Sequence, residues 1–170
     1  RTLERMNRRY TAEEYREKCE LIRKYYSAPA LTTDVITGFP GETEEDFRES
    51  LEFVRSIRFY ETHIFKYSRR QGTKAAAMDG QLTEAVKARR SEEFLELNEQ
   101  RESEYVEAMV GKELEILLEE EMEVDGRQYL IGHSREYVKT AVEKRGGLKV
   151  NDLISAEGVK VLKNHILLAK

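Results

Sequence analysis

The sequence predicts an α/β protein built in two parts, and two observations carry that prediction. Residues 11–68 alternate helix, strand, helix and strand patterns, which is typical of parallel βα architecture. After Gly111 the pattern changes to several short β-rich segments, as in a small barrel or sandwich. We therefore expect one domain over residues 1–110 and a second over residues 111–170.

The first helix is predicted over residues 11–26. It opens with "TAEE", a capping box in which the Thr11 side chain caps the helix and Glu14 reaches back. One apolar stripe then follows at helical spacing, formed by Tyr15, Cys19, Ile22 and Tyr26. We expect this helix to be amphipathic and Cys19 to be a buried core thiol rather than a nucleophile.

A strand, a tight turn and a second helix come next. "ALTTDVIT" (30–37) is a β-branched run that suits a buried strand, and "GFPG" (38–41) turns the chain. Thr43 and Asp46 resemble a second capping box. The helix that they open carries its apolar residues at Phe47, Leu51, Val54 and Ile57 or Arg58.

The chain continues with a second strand, "ETHIFKYS" (61–68), and an irregular basic loop over residues 69–82. A helix is predicted from Thr83 to Val110, with Gly111 as its stop. In the β-rich part that follows, the "DG" pair at 125–126 is a strong hairpin signal.

Composition excludes several classes of protein. With 39% hydrophobic and 36% charged residues the chain should be soluble, and no apolar run approaches the ~20 residues of a membrane helix. A single cysteine excludes an internal disulfide and favours the cytoplasm, and three scattered histidines add no metal-ligand cluster.

The net charge of −4 hides a basic stretch at 55–74, with six Lys/Arg against one acid. The opening lacks a start methionine, so we expect a piece of a longer chain.

Both predicted strands end in turns that suit a ligand. Glycine lets a ligand approach the backbone closely, and the helix after "GFPG" presents its positive N-terminus to the same place. Ligands of parallel α/β sheets bind at this end of the strands. Arg69 and Arg70, after the second strand, are candidate phosphate contacts. Alternatively, "GFPGE" is only a rigid turn and the arginines are a solvated pair.

Three blocks of sequence resemble the methylthiotransferases of the radical S-adenosylmethionine (SAM) superfamily. "RMNRRYT…TTDVITGFPGETEEDF…HIFKYSRRQGTKAA" resembles the second half of their radical SAM domain. "GKELEILLEE…GHSREYVKTAV" resembles the TRAM domain that closes those enzymes. The resemblance implies a partial (β/α) radical SAM barrel followed by a small all-β, OB-like TRAM barrel. It is strongest to the type acting on threonylcarbamoyladenosine in tRNA; the isopentenyladenosine type and the type acting on a ribosomal protein come next.

The resemblance also implies site residues. Those matching the SAM contacts of the family are Ile36, Gly38, Phe39, Pro40, Gly41, Tyr67 and Ser68. Those expected to hold the anticodon arm of tRNA are Arg69, Arg70, Lys74, His133, Arg135, Tyr137 and Lys139. The family's CxxxCxxC motif, which holds a [4Fe–4S] cluster, is absent from these 170 residues, so this piece alone is expected to be inactive.

Plainer interpretations stay open beside these. Tyr137 and Val138 are equally typical of ordinary strand residues, one of them buried, and the acids at 119–123 suggest a solvated hairpin arm. A non-catalytic RNA-binding module is an alternative to an enzyme. A half barrel would also expose strand edges that favour a homodimer or a domain swap.

Overall fold

The computed structural model describes residues 1–124 and 126–170. Two compact units divide the chain, Arg1–Arg101 and Glu102–Lys170. The division falls inside a long helix, whereas the composition change had suggested a boundary at residue 110. Among the described residues, none of the helices combines the length and the apolar character needed to span a membrane.

The first unit alternates helices and strands, so the predicted α/β class is confirmed for it. Its elements are α1 (Thr2–Arg5), α2 (Ala12–Tyr25), β1 (Thr32–Thr37), α3 (Glu44–Ile57), β2 (Glu61–Lys66), a 3-10 turn (Ala75–Ala77) and α4 (Glu84–Glu107), whose last turns belong to the second unit. Strands β1 and β2 pair in parallel, from Thr32 beside Glu61 to Thr37 beside Lys66.

Both predicted capping boxes form and set the starts of α2 and α3. The backbone N–H of Glu14 donates to the Thr11 hydroxyl at 3.1 Å, while the Glu14 carboxylate accepts from the Thr11 N–H at 2.7 Å. Thr43 and Asp46 repeat this exchange at 3.1 and 2.8 Å. Each box satisfies two backbone N–H groups that a helix start leaves unpaired.

One face of the β1–β2 sheet and the apolar face of α3 form the core of this unit. The four residues predicted for α3 are all buried here. The buried side chains of the core are Cys19, Phe47, Leu51, Val54, Ile57, Phe59, Phe94 and Leu97. The ring of Phe47 meets that of Phe94 edge to face, with centroids 5.8 Å apart. This packing fixes where the C-terminal ends of both strands lie.

The predicted apolar stripe of α2 is wrong over its second half. Cys19 is buried as expected, but Ile22 is 39% exposed and Tyr26 64% exposed. Residues of α2 up to Cys19 reach the core, where Tyr15 packs beside Phe59. Helical periodicity identified the apolar face but not how far along the helix a packing partner extends.

The second unit is a closed five-stranded barrel with the order β3–β4–β5–β7–β6. The strands are β3 (Glu113–Val124), β4 (Arg127–Ser134), β5 (Lys139–Glu143), β6 (Leu153–Val161) and β7 (Leu167–Ala169). All pairs are antiparallel except β5 with β7. The predicted "DG" hairpin turn includes Asp125, which lies outside the described residues; on either side of it, Val124 pairs with Arg127.

The segment after α4 leads directly into this barrel. The Gly111 N–H donates to the Gly158 carbonyl at 2.7 Å, and the Gly158 N–H donates to the Lys112 carbonyl at 2.9 Å. A Cβ on Gly158 would lie 2.5 Å from the Met109 carbonyl oxygen, so glycine is needed for this close approach. The five strands β3 to β7 confirm the prediction that the tail is β-rich.

Candidate functional site

The C-terminal ends of β1 and β2 lie side by side, as the parallel pairing requires. The Tyr67 N–H donates to the Thr37 carbonyl at 2.8 Å. Just beyond the ends of the two strands, the rings of Phe39 and Tyr67 meet edge to face, with centroids 5.4 Å apart. The structure therefore brings together the two strand ends that the sequence proposed as one side of a pocket.

The turn between β1 and α3 depends on two glycines. Gly38 and Gly41 have φ angles of +73° and +77°, a region that side chains disfavour. The Gly38 N–H donates to the Glu42 carboxylate at 2.9 Å, and the Gly41 N–H donates to the Gly80 carbonyl at 2.8 Å. These amides were expected to face a ligand; instead both are already bonded within the protein.

Glu42 holds this turn through a buried ion pair with Arg90 of α4. The Arg90 guanidinium donates to the Glu42 carboxylate and, at 3.1 Å, to the Glu42 carbonyl. The two residues are only 3% and 8% exposed. Burial raises the pKa of Glu42, and the hydrogen bonds from Gly38 and Arg90 oppose that rise. Neither residue was singled out from the sequence, since 48 positions separate them.

Lys87 covers the turn from the same helix. A Cβ built on Gly38 would lie 2.5 Å from the Lys87 Cγ, and the Lys87 Nζ lies 5.4 Å from the centre of the Tyr67 ring. The ammonium group also donates to Glu84 at 2.8 Å. Gly38, Phe39 and Pro40 are consequently buried in this unit.

The remaining proposed SAM contacts are more open. Ile36 is half-buried and pairs in register with Phe65, which is more than half exposed, while Ser68 is exposed. Tyr67 is half-buried, and its hydroxyl oxygen has no hydrogen-bond partner. The accessible part of the strand-end site is therefore an apolar patch of Ile36 and Phe65 beside the exposed Ser68, while the Tyr67 hydroxyl oxygen is buried.

The basic loop after β2 contains one structural arginine and two exposed basic side chains. Arg69 donates from Nε to the Ala76 carbonyl at 2.9 Å, so its side chain shapes the loop. The Arg70 carbonyl accepts from the Thr73 hydroxyl at 2.8 Å, whereas the side chains of Arg70 and Lys74 are exposed. Arg70 and Lys74 are the loop cations most open to an anion.

In the barrel, the proposed RNA contacts surround one turn between β4 and β5. The rings of His133 and Tyr137 stack with centroids 5.0 Å apart and planes 20° apart. Tyr137 has a φ of +61° and is 64% exposed, while Val138 beside it is buried. Tyr137 is thus not the ordinary strand residue that the plainer interpretation allowed. A bulky residue in this backbone region is unusual and often marks a functional position.

Each basic side chain of this group is close to a glutamate of β3. The closest atoms are 2.7 Å apart for His133 with Glu119, 2.7 Å for Arg135 with Glu115, and 3.6 Å for Lys139 with Glu120. The acids at 119–123 are exposed, as expected, but no sequence pattern predicted that three of the β3 glutamates would pair with the proposed RNA contacts. The patch is therefore less positive than its residue types suggest.

The chain does not offer the ligands of an iron–sulfur cluster. Its one cysteine, Cys19, is buried in the core of the first unit, and that burial raises the pKa of the thiol. A [4Fe–4S] cluster needs several thiolates. These residues do not fit the cluster.

The first comparison with known proteins is a match to a protein superfamily. The sequence profile of the radical SAM superfamily matches residues 1–54. A threonylcarbamoyladenosine tRNA methylthiotransferase (MtaB) of Bacillus subtilis is 39% identical over 138 residues, which are 81% of this chain and 31% of that protein. A tRNA-2-methylthio-N(6)-dimethylallyladenosine synthase of Thermobifida fusca is 36% identical over 98% of this chain and 35% of its own length.

A third relative, the tRNA-2-methylthio-N(6)-dimethylallyladenosine synthase of Moorella thermoacetica, is 43% identical over 79% of the chain and 30% of its own length. The chain spans about a third of the length of these relatives. Over most of its length the chain is similar to radical SAM methylthiotransferases, so the resemblance noted in the sequence is confirmed. The matches are consistent with the C-terminal part of such an enzyme.

Proposed function

We propose that this chain is part of a tRNA methylthiotransferase that adds a methylthio group to a modified adenosine beside the anticodon. The observation that carries the proposal is the joining of two strand ends, around Gly38 and Tyr67, into one surface. Relatives whose names specify tRNA modification, matched over most of the chain, support it. We favour threonylcarbamoyladenosine as the substrate because of the motifs quoted above.

In this proposal the first unit is part of a (β/α) barrel, and its strand ends form one wall of the SAM site. Ile36 and Ser68 are the groups available to contact the nucleoside, while the Tyr67 hydroxyl is a buried group without a hydrogen-bond partner. Gly38 to Gly41 act indirectly, because Glu42 and Arg90 hold their turn rigid. SAM together with [4Fe–4S] clusters would supply the radical chemistry, and the cluster ligands would lie outside these 170 residues.

The second unit acts in this proposal as a TRAM-type barrel that binds RNA, in the cytoplasm where tRNA is modified. An exposed aromatic ring can stack on an unpaired base, and basic side chains can contact phosphates. Tyr137 is held outward by its turn and supported on one face by His133. Arg135, Lys139 and the loop residues Arg70 and Lys74 are the candidate phosphate contacts.

Binding of an anticodon-arm hairpin RNA tests this proposal. Stacking of one base on an aromatic ring contributes about 1–3 kcal/mol, so Tyr137→Ala should weaken binding by about 5- to 150-fold. Tyr25→Ala is the matched control, because Tyr25 is also a well-exposed tyrosine but lies in α2. Fluorescence anisotropy at fixed salt would measure both variants. Equal affinity of the two variants would refute the role of Tyr137.

Two rival functions can be distinguished by further binding measurements. The first is a methylthiotransferase acting on isopentenyladenosine or on a ribosomal protein. Binding to a ribosomal protein without affinity for any RNA would favour the protein substrate. The second is a non-catalytic RNA-binding module, which would bind the hairpin without measurable SAM binding by calorimetry in the complete natural protein.

The outer edges of β1 and β2 motivate a further expectation about assembly. Within the described residues these two strands pair only with each other. Unpaired strand edges promote association with another chain, so we expect this chain to form a homodimer or a domain swap. Light scattering at increasing concentration would measure this, and a clean monomer at high concentration would contradict it.

A further inference from the structure

Four glutamates of β3 each lie beside a basic residue. We call them the glutamate row: Glu115, Glu119, Glu120 and Glu121. Their partners are Arg135, His133, Lys139 and Lys144, with closest atoms between 2.7 and 3.6 Å apart. All four pairs are partly open to solvent.

A β-bulge lies within this row of glutamates. Side chains of a regular strand alternate between its two faces, so neighbours cannot share a surface. Leu118 pairs with Gly132 and Glu120 pairs with Ile131, which leaves Glu119 as the extra residue of a bulge. The bulge breaks the alternation at Glu119, whereas Glu120 and Glu121 pair in regular register with Ile131 and Leu130 and therefore lie on opposite faces of the strand.

Gly132 makes the bulge sterically feasible. A Cβ at this position would lie 1.8 Å from the Leu117 carbonyl oxygen and 3.0 Å from the Leu118 Cα. Both are backbone atoms of β3 and cannot rotate away as a side chain can. Glycine is therefore required here for close approach of the two strands, and the row depends on it.

The row leaves the stacking surface uncovered. Tyr137 is largely exposed, and its ring stacks with His133. Phosphates approaching Arg135 or Lys139 must displace a carboxylate that already holds the cation. An unpaired base approaching the Tyr137 ring displaces none of these ion pairs. A ligand that offers only negative charge therefore binds weakly on this surface, whereas an unpaired base can bind without breaking an ion pair.

We propose that the glutamate row is a built-in competitor for RNA phosphates, which makes the barrel bind RNA segments that offer an unpaired base and bind other polyanions poorly. This inference rests on the proposed RNA-binding function and names the class of RNA for it. Exposed ion pairs are individually weak, so the row lowers the affinity for phosphate without locking the cations. A segment with a free base adds the stacking contact that phosphates alone cannot supply.

The test replaces three members of the row with glutamine, as Glu119→Gln, Glu120→Gln and Glu121→Gln together. The charge-matched control carries Glu4→Gln, Glu17→Gln and Glu20→Gln, three exposed glutamates of the first unit. Both triple variants change the net charge by the same +3. The probes are a hairpin RNA with unpaired loop bases, a fully paired RNA duplex and inorganic polyphosphate, each titrated at several salt concentrations.

The proposal requires the row variant to bind duplex and polyphosphate about 3- to 100-fold more tightly than wild type, from exposed ion pairs that each affect affinity by up to about fivefold. Its salt dependence should also steepen, because more phosphates are neutralised. Adding Tyr137→Ala should weaken hairpin binding less in the row variant than in wild type. The control triple should change duplex and polyphosphate affinity by less than about threefold.

Other results would overturn the inference. A row variant that binds polyphosphate no more tightly than the control triple would show that the glutamates do not compete. A row variant that melts at a lower temperature without binding more tightly would give them a purely structural role. If the proposed RNA-binding function is wrong, the result differs: wild type shows no preference for the hairpin, and Tyr137→Ala does not change its binding. The comparison of polyphosphate affinities then still decides the role of the row.

Discussion

Replacing Arg90 by methionine tests whether the buried pair with Glu42 holds the strand-end turn. Methionine keeps most of the side-chain length and the contact with the Phe47 ring, which now lies 5.2 Å from the guanidinium carbon. The substitution removes the hydrogen bonds of Arg90 to the Glu42 carboxylate, the Glu42 carbonyl and Glu44. The Glu42 carboxylate then stays buried with only the Gly38 N–H as its partner.

The cost follows from that burial. Removing one partner of a buried ion pair typically destabilises a protein by about 3–5 kcal/mol, because the remaining charge is uncompensated. We expect Arg90→Met to lose about this much at neutral pH. The double variant with Glu42→Gln should lose only about 1–2 kcal/mol, since a neutral amide can still accept from Gly38. Arg89→Met, at a neighbouring arginine that is 44% exposed, should cost less than about 1 kcal/mol.

The pH dependence gives a second, independent readout. Burial raises the pKa of Glu42 above its ordinary value of 4.5, and Arg90 opposes this rise. Losing Arg90 therefore raises that pKa further, so the folded variant binds a proton at pH values where the unfolded chain does not. Because the folded state then holds more protons, stability falls as pH rises above 4.5. The deficit of Arg90→Met should shrink toward acid pH.

Hydrogen–deuterium exchange of peptides from β1, measured in increasing urea, would report the stability of the first unit separately from the barrel. The reasoning would be refuted if Arg90→Met and the double variant were equally destabilised. A deficit of Arg90→Met that stays constant from pH 4.5 to 8 would also refute it, because it would show that no uncompensated carboxylate remains.

Two further predictions follow from local geometry. Gly132→Ala should destabilise the barrel by several kcal/mol, since its Cβ would overlap the β3 backbone. The control Gly146→Ala, where a Cβ meets no atom within 4 Å, should leave the melting temperature unchanged. Similar melting temperatures of the two variants would contradict the bulge argument. Partial burial acts to raise the pKa of Asp46, but hydrogen bonds from Arg1 and Thr43 lower it from 3.8 to about 2. Its stabilising contribution should therefore be present above pH 4 and lost as pH falls toward 2, and acid unfolding of Asp46→Asn should lack this loss; identical acid curves would contradict it.

Local sequence determined the features that depend only on neighbouring residues. Thr11 with Glu14 and Thr43 with Asp46 form their capping boxes because both partners lie within one helical turn. The adjacency of the two strand ends also followed from the sequence, since strands that alternate with helices pair in parallel and end at the same edge.

Features that need distant partners could not be predicted. The Glu42–Arg90 pair joins residues 48 positions apart, and "ARRSEE" in a charged helix gives no sign of which arginine is buried. The exposure of Tyr26 depends on what packs against the end of α2, which periodicity does not describe. The alternative interpretation of Tyr137 as a strand residue followed from the frequency of tyrosine in strands, and the sequence does not reveal its positive φ.

The glutamate row shows how one local departure changes the meaning of a sequence. As a regular strand, "EEEME" would alternate its acids between the two faces of the sheet. The bulge at Glu119, which Gly132 permits, breaks that alternation, and Glu119 and Glu120 lie beside His133 and Lys139, which are cross-strand neighbours. Acids and bases that are distant in the sequence therefore meet on the surface around Tyr137. On that surface the exposed Tyr137 ring, rather than the positive charge, is the feature that a ligand can contact without breaking an ion pair.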